Sequence, residues 1–212
     1  MKAIFFDLDD VLVFSERSHT KAWQLALPRY GVDPDLIDFQ SLVGVSDSQQ
    51  AQMFKEIFHI EEDAAAICEH KRLTFLEMTQ HGFESAPGRN QFLENMTQKC
   101  IMGVVSSSPR SVIEPVLAVE GISDYFQFII GHEDCVKHKP DPMPYQNALA
   151  LTGLKPQEAL VIEDSVSGIT AAQRAMIPIF GLFKDQRPDQ IVHHVQYYNN
   201  FIEIQDALIK VA

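Results

Sequence analysis

Cysteine is scarce in this chain of 212 residues: Cys68, Cys100 and Cys135 are an odd number, widely spaced, with no Cys-x-x-Cys pair. Neither a disulfide framework nor a structural zinc site is indicated, and a reducing compartment fits best. Long apolar runs are missing too, since no stretch approaches the roughly 20 residues of a membrane span. The opening Met1-Lys2-Ala3-Ile4 reaches an acid at Asp7, too soon for the apolar region of a signal peptide, so we expect a cytoplasmic protein that engages no membrane. Positive charge is in deficit, with 17 Lys plus Arg against 29 Asp plus Glu and a net charge of −12. Such a field repels nucleic acid and anionic bilayers, and an anionic ligand must be met by a local positive group or a cation. There is no internal repeat or low-complexity tract, and the 46% hydrophobic content suits a globular protein of one or two domains.

What is present begins with Phe5-Phe6-Asp7-Leu8-Asp9-Asp10, an apolar run that stops on two carboxylates spaced i, i+2. A buried strand does not tolerate unpaired acids, so Ala3 to Phe6 must deliver Asp7 to the strand's end, where it can act as nucleophile or metal ligand. From about Phe14 to Phe83 the apolar residues recur at helical spacing: Ala22, Leu25 and Ala26, then Met53, Phe54, Ile57 and Phe58, then Ala64, Ile67 and Cys68. After the turn-rich Ser85-Ala86-Pro87-Gly88 the pattern changes to alternating strands and helices. Strands are predicted at 101–105, 126–130, 159–162 and 177–183, and helices near 89–98, 110–119, 143–152, 166–175 and 202–211. Alternation of this kind predicts an α/β fold, a Rossmann-like parallel sheet joined by the opening strand. The core is then residues 1–13 and 84–212, and the block 14–83 is a helical insertion whose two chain crossings permit a hinge.

Three apolar runs each stop on polar groups: the first on Asp7, Ile101 to Val105 on Ser106-Ser107-Ser108, and Ala159 to Ile162 on Glu163-Asp164-Ser165. In an open parallel sheet the ligand crevice lies outside the carboxyl ends of the strands, so these clusters should meet in space. Pro140 disfavours helix at Lys139 and sets that lysine on a loop able to face the same crevice. Asp7, Asp9, Glu163 and Asp164 crowded together are tolerable only with a bound cation or with raised pKa values, and for a cation an all-oxygen set points to Mg²⁺. Ser106, with Ser107 beside it, offers hydroxyl donors for phosphoryl oxygens, and Lys139 offers a fixed positive charge. The set matches phosphoryl transfer, with Asp7 attacking phosphorus and Asp9 serving as acid and then base.

Phe-Asp-Leu-Asp-x-Val-Leu at 6–12, Ser106, Lys139-Pro140-x-Pro142 and Glu163-Asp164-Ser165-x-x-Gly168-Ile169 resemble, in order and spacing, the four motifs of the haloacid dehalogenase superfamily. The likeness is strongest to its phosphatases and β-phosphoglucomutases with a helical cap. It implies Asp7 as nucleophile and Mg²⁺ ligand, Asp9 as acid/base with its backbone carbonyl on the metal, and Ser106 and Lys139 as phosphoryl binders. It further implies Asp164 on the metal with Glu163 beside it, and residues 14–83 as a four-helix cap that closes over a small phosphorylated metabolite. A dehalogenase is disfavoured, because those members lack the second acid that Asp9 supplies.

Departures from the motifs matter as well. Asp10 stands at a position that is usually glycine, and Asp tolerates unusual φ better than most residues. Phe14 stands where many relatives carry Asp. In the expected cap, His19 and Lys71 fall where the mutase subgroup places a closure histidine and a substrate-contacting lysine. Gly44-Val45-Ser46 also matches the mutase cap loop. Asp47, however, replaces a phosphate-binding arginine, a charge reversal that argues against holding a second phosphate. The pair His193-His194 and the run Glu61-Glu62-Asp63 read as exposed. The expectation is a Mg²⁺-dependent phosphohydrolase of a small monoester such as a sugar phosphate; a β-phosphoglucomutase-like phosphosugar mutase and a catalytically idle binding or regulatory member are the alternatives.

Overall fold

The computed structural model describes residues 1–42, 45–183 and 195–211. Strands β1 (Ala3–Phe6), β2 (Ile101–Val105), β3 (Phe128–Ile130), β4 (Ala159–Glu163), β5 (Ile179–Leu182) and β6 (Gln196–Tyr198) form one sheet in the order β3-β2-β1-β4-β5-β6. All neighbouring strands pair in parallel. The four residues of β1 are buried throughout, as a strand covered on both faces must be. From β1 the chain builds outward to β2 and β3, then crosses back to place β4 on the other side of β1. The strand order therefore reverses between β1 and β4, the position where an open parallel sheet leaves a crevice. Strand β3 starts two residues later than the spacing predicts, because Ser123–Tyr125 makes a 3₁₀ turn capped by Phe126. Strand β6 was not expected from the sequence; three residues are too few to display a period.

The chain divides into two compact units, Met1–Phe14 with Phe83–Ala212, and Ser15–Gly82. The second unit contains α1 (Glu16–Ala26), α2 (Asp47–Ile57) and α3 (Ala64–Met78). It has a core of its own, in which Trp23, Leu27, Val32, Leu42, Ala51, Phe54, Ile60 and Ile67 are buried together. Trp23 and Phe54 meet edge to face at 5.1 Å. Ser46 caps α2 in a capping box with Gln49. Among the described residues this unit has three α-helices and not the expected four. Single 3₁₀ turns at Leu27–Tyr30, Pro34–Leu36 and Phe39–Leu42 occupy the connection, where Pro28 and Pro34 lack a donor and Gly31 takes a φ of 74°. Leu25, Met53 and Ile57, which the helical spacing put on the apolar stripe, are exposed. Gly44 and the pair His193-His194 lie outside the described residues.

The first unit is completed by α4 (Arg89–Met96), α5 (Arg110–Val119), α6 (Met143–Thr152), α7 (Val166–Arg174) and α8 (Phe201–Val211). Phe6 of β1 packs on Phe92 of α4 and Phe201 of α8, and burying each such ring contributes about 1.5–3 kcal/mol. The chain leaves and re-enters this unit at a buried ion pair. Arg89 Nη1 donates to Glu120 Oε2 at 2.7 Å and to the Leu12 carbonyl at 2.8 Å, and Glu120 Oε1 accepts the Phe83 N–H at 2.6 Å. No helix among the described residues is long and apolar enough to cross a membrane.

Candidate active site

Register sets the site. Phe6 pairs with Val104 on one side and with Ile162 on the other, so the residues just past β1, β2 and β4 emerge at the same sheet edge. These are Asp7, Ser106 and the Glu163-Asp164 pair. Lys139 arrives on the loop before α6. Its ammonium, 3% exposed, donates to Asp7 Oδ1 at 2.7 Å, Glu163 Oε1 at 2.6 Å and the Val105 carbonyl at 2.9 Å. Asp7, Glu163 and Asp164 each bring a carboxylate oxygen within 4.8 Å of the others. Four elements far apart in sequence thus converge on one cluster.

Three carboxylates against one ammonium is an unbalanced group. Burial pushes Asp7 up to about 8; Lys139 pulls it back, while Glu163 and Asp9 push the same way as burial. Asp164 is likewise raised well above the ordinary carboxylate range, by burial and then by Glu163, Asp7 and Asp10. Burial opposes the charge on Lys139, yet Asp7 and Glu163 outweigh it and hold the amine well above its usual value. The surplus of negative charge and the oxygen-only donors, with no His or Cys among them, fit a hard divalent cation. The turn after β4 is built around Glu163: Ser165 caps α7 through the Gly168 N–H at 3.0 Å, and a Cβ on Gly168 would stand 1.6 Å from Glu163 Oε1.

The loop after β2 holds the remaining polar groups. Ser106 is buried and its Oγ accepts the Ser108 N–H at 3.0 Å, whereas Ser107 is exposed. Ser108 donates its own hydroxyl to Asp9 Oδ2 at 2.9 Å. No spacing in the sequence links Ser108 to Asp9. Arg110, at the start of α5, is turned to the neighbouring segment, where Nε bonds Asp134 Oδ2 at 2.9 Å and Nη2 bonds the Ile129 carbonyl. Asp10 takes a φ of 54°, the left-handed conformation that explains why glycine is usual there.

His19 and Lys71 belong to the helical unit. Lys71 is fully buried; its ammonium lies 2.6 Å from Asp47 Oδ2 and 2.6 Å from His19 Nδ1. An ammonium only donates, so Nδ1 is the acceptor and the imidazole proton sits on Nε2. The His19 ring stacks on Phe75 at 4.1 Å, and Asp47 also accepts from Trp23 Nε1 at 3.2 Å. The negative charge at Asp47 is therefore partnered by Lys71.

This sheet order, with acids and a lysine at the carboxyl edge, is that of a Rossmann-like α/β protein with a polar site at its crevice. The haloacid dehalogenase-like hydrolase family model matches residues 4–182, and the chain belongs to that family. It is 29% identical over 185 residues to validoxylamine A 7'-phosphate phosphatase of Streptomyces hygroscopicus subsp. limoneus, covering 85% of each chain. It is 30% identical over 190 residues to phosphoglycolate phosphatase of Yersinia pestis, covering 86% of this chain and 81% of that one. In fold it is similar to CbbY from Rhodobacter sphaeroides, solved in complex with phosphate, with a TM-score of 0.84, 19% identity and 96% of both chains covered.

Proposed function

We propose that this chain is a Mg²⁺-dependent cytoplasmic phosphohydrolase that takes the phosphoryl group of a small phosphate monoester onto Asp7. The observation that carries this reading is the buried Lys139 ammonium bonded at once to Asp7 and Glu163 beside Asp164. The names of the two curated relatives support phosphatase chemistry on a small phosphorylated metabolite, a sugar phosphate or a compound of similar size.

In this mechanism an Asp7 oxygen attacks phosphorus and the bond from phosphorus to the ester oxygen breaks, while Asp9 gives that oxygen its proton. Asp9 then takes a proton from water, which attacks the aspartyl-phosphate; inorganic phosphate leaves and Asp7 is restored. Lys139 and the Ser106 hydroxyl hold the phosphoryl oxygens, and Ser107 lies beside them on the same loop. Ser108 fixes the carboxyl of Asp9 for both proton transfers. Bound Mg²⁺, held by Asp7, Asp9 and Asp164 with Glu163 beside them, supplies charge that screens the repulsion between substrate and nucleophile. A mutase needs a cationic grip on a second phosphate, whereas this chain has Asp47 where the resembling mutase motif carries arginine, and Asp47 pairs with Lys71.

Phosphate release from a panel containing sugar phosphates and phosphoglycolate, with Mg²⁺ or with excess chelator, tests the reading. Turnover that requires Mg²⁺ supports it. Silence across the panel with Mg²⁺, or full activity in chelator, contradicts it.

A further inference from the structure

Tyr145 on α6 belongs to no motif, yet it is fully buried and donates its hydroxyl to Glu163 Oε1 at 3.1 Å. The same oxygen accepts from Lys139 at 2.6 Å, and that ammonium stands 5.1 Å from the centroid of the Tyr145 ring, within range of a cation–π contact. The other Glu163 oxygen accepts three donors: the Asp164 N–H at 3.0 Å, the Ser165 N–H at 2.9 Å and the Ser165 hydroxyl at 3.0 Å. A carboxylate offers about four lone-pair sites. Five protein donors already fill them, so Glu163 has no acceptor capacity left for a cation or a substrate. Gly168 makes the room that this carboxylate occupies, since a Cβ there would overlap it.

Lysine is a point charge on a long flexible stem, and its aim at a phosphoryl group depends on what holds the ammonium. We propose that Tyr145 and Glu163 are a buried positioning pair for Lys139: the phenol hydroxyl fixes the carboxylate, the carboxylate and ring face fix the ammonium, and Glu163 is not a ligand of the metal. This rests on the phosphohydrolase reading for the role of Lys139.

Tyr145→Phe removes one oxygen and keeps the ring, so it is the primary test in the full chain. Three constants are measured: inhibition by inorganic phosphate, kcat/KM for p-nitrophenyl phosphate, and Mg²⁺ affinity by calorimetry. Loss of a hydrogen bond to a charged group predicts phosphate inhibition about tenfold weaker and kcat/KM lower by at least about tenfold, with Mg²⁺ affinity within about twofold of the parent. Glu163→Gln should reproduce the phosphate defect while losing at least about tenfold less Mg²⁺ affinity than Asp164→Asn, and it decides the matter if Tyr145→Phe does not fold. Parental constants in Tyr145→Phe overturn the proposal. So does activity lost only in proportion to folded protein with phosphate inhibition unchanged, or a Glu163→Gln variant that loses Mg²⁺ as fully as Asp164→Asn. If the parent itself releases no phosphate, the function reading fails, and phosphate affinity by calorimetry still tests the positioning pair.

Discussion

Lys139 Nζ lies 2.7 Å from Asp7 Oδ1, joining residues 132 positions apart at the end of the central strand. Removing one partner of a buried ion pair leaves an uncompensated charge. Lys139→Met should therefore destabilise the fold by about 3–5 kcal/mol in denaturant unfolding. It should also lower phosphate release by about 100-fold or more, the scale of losing a preorganised donor to the transition state. Turnover within tenfold of the parent, in folded protein, would remove Lys139 from the mechanism.

Ser108 carries a second prediction. Its hydroxyl is a donor to Asp9 at 2.9 Å, and a hydrogen bond to a charged group contributes about 1.5–3 kcal/mol. Ser108→Ala should reduce kcat by about ten- to a hundredfold with little change in KM, because the bond orients a proton-transfer group and does not grip the substrate. An unchanged kcat would show that Asp9 needs no such support.

Asp10 separates an active enzyme from an idle one. Its φ of 54° strains a side-chain-bearing residue by about 1–2 kcal/mol, an amount partly offset in glycine by the larger entropy of the unfolded chain. Asp10→Gly should thus be neutral to about 1 kcal/mol stabilising, with activity kept or raised. An inactive parent that gains turnover on this substitution would instead support the idle reading.

The pH dependence of metal stabilisation follows from Asp7. Its folded pKa of about 8 exceeds the ordinary 3.8, so in metal-free protein the folded state binds this proton more tightly than the unfolded state. That contribution is fully present below about pH 4 and is lost as pH rises through about 8. Mg²⁺ takes the proton's place, so the gain in Tm on adding Mg²⁺ should be larger at pH 8 than at pH 6. Equal gains at the two pH values would contradict the assignment.

The parts of the site legible in the sequence are those written as local patterns. An apolar run ending abruptly on Asp7, Ser106 or Glu163 announces a strand end, and the carboxyl-edge rule for parallel sheets brings those ends together. The left-handed backbone at Asp10 was legible for the same reason, as an unusual residue at a position of known geometry. Ser108 and Tyr145 were not, because their meaning lies in partners 99 and 18 residues away and a serine or tyrosine carries no spacing signal of its own. Lys71 stood out only through its place in the mutase resemblance, and nothing local announces that it is buried against Asp47, 24 positions away. The Arg89–Glu120 pair was equally invisible, since each residue alone reads as a solvated surface charge.

The central claim is that Asp7 carries the phosphoryl group. Acid quenching during turnover of a phosphorylated substrate with Mg²⁺, followed by peptide mass spectrometry, reads this directly. One phosphoryl group is expected on the peptide containing Asp7 in the parent and none in Asp7→Asn, whose phosphate release falls to background. Phosphate release by Asp7→Asn at a rate comparable to the parent, or a phosphoryl group found on a different residue, would contradict it.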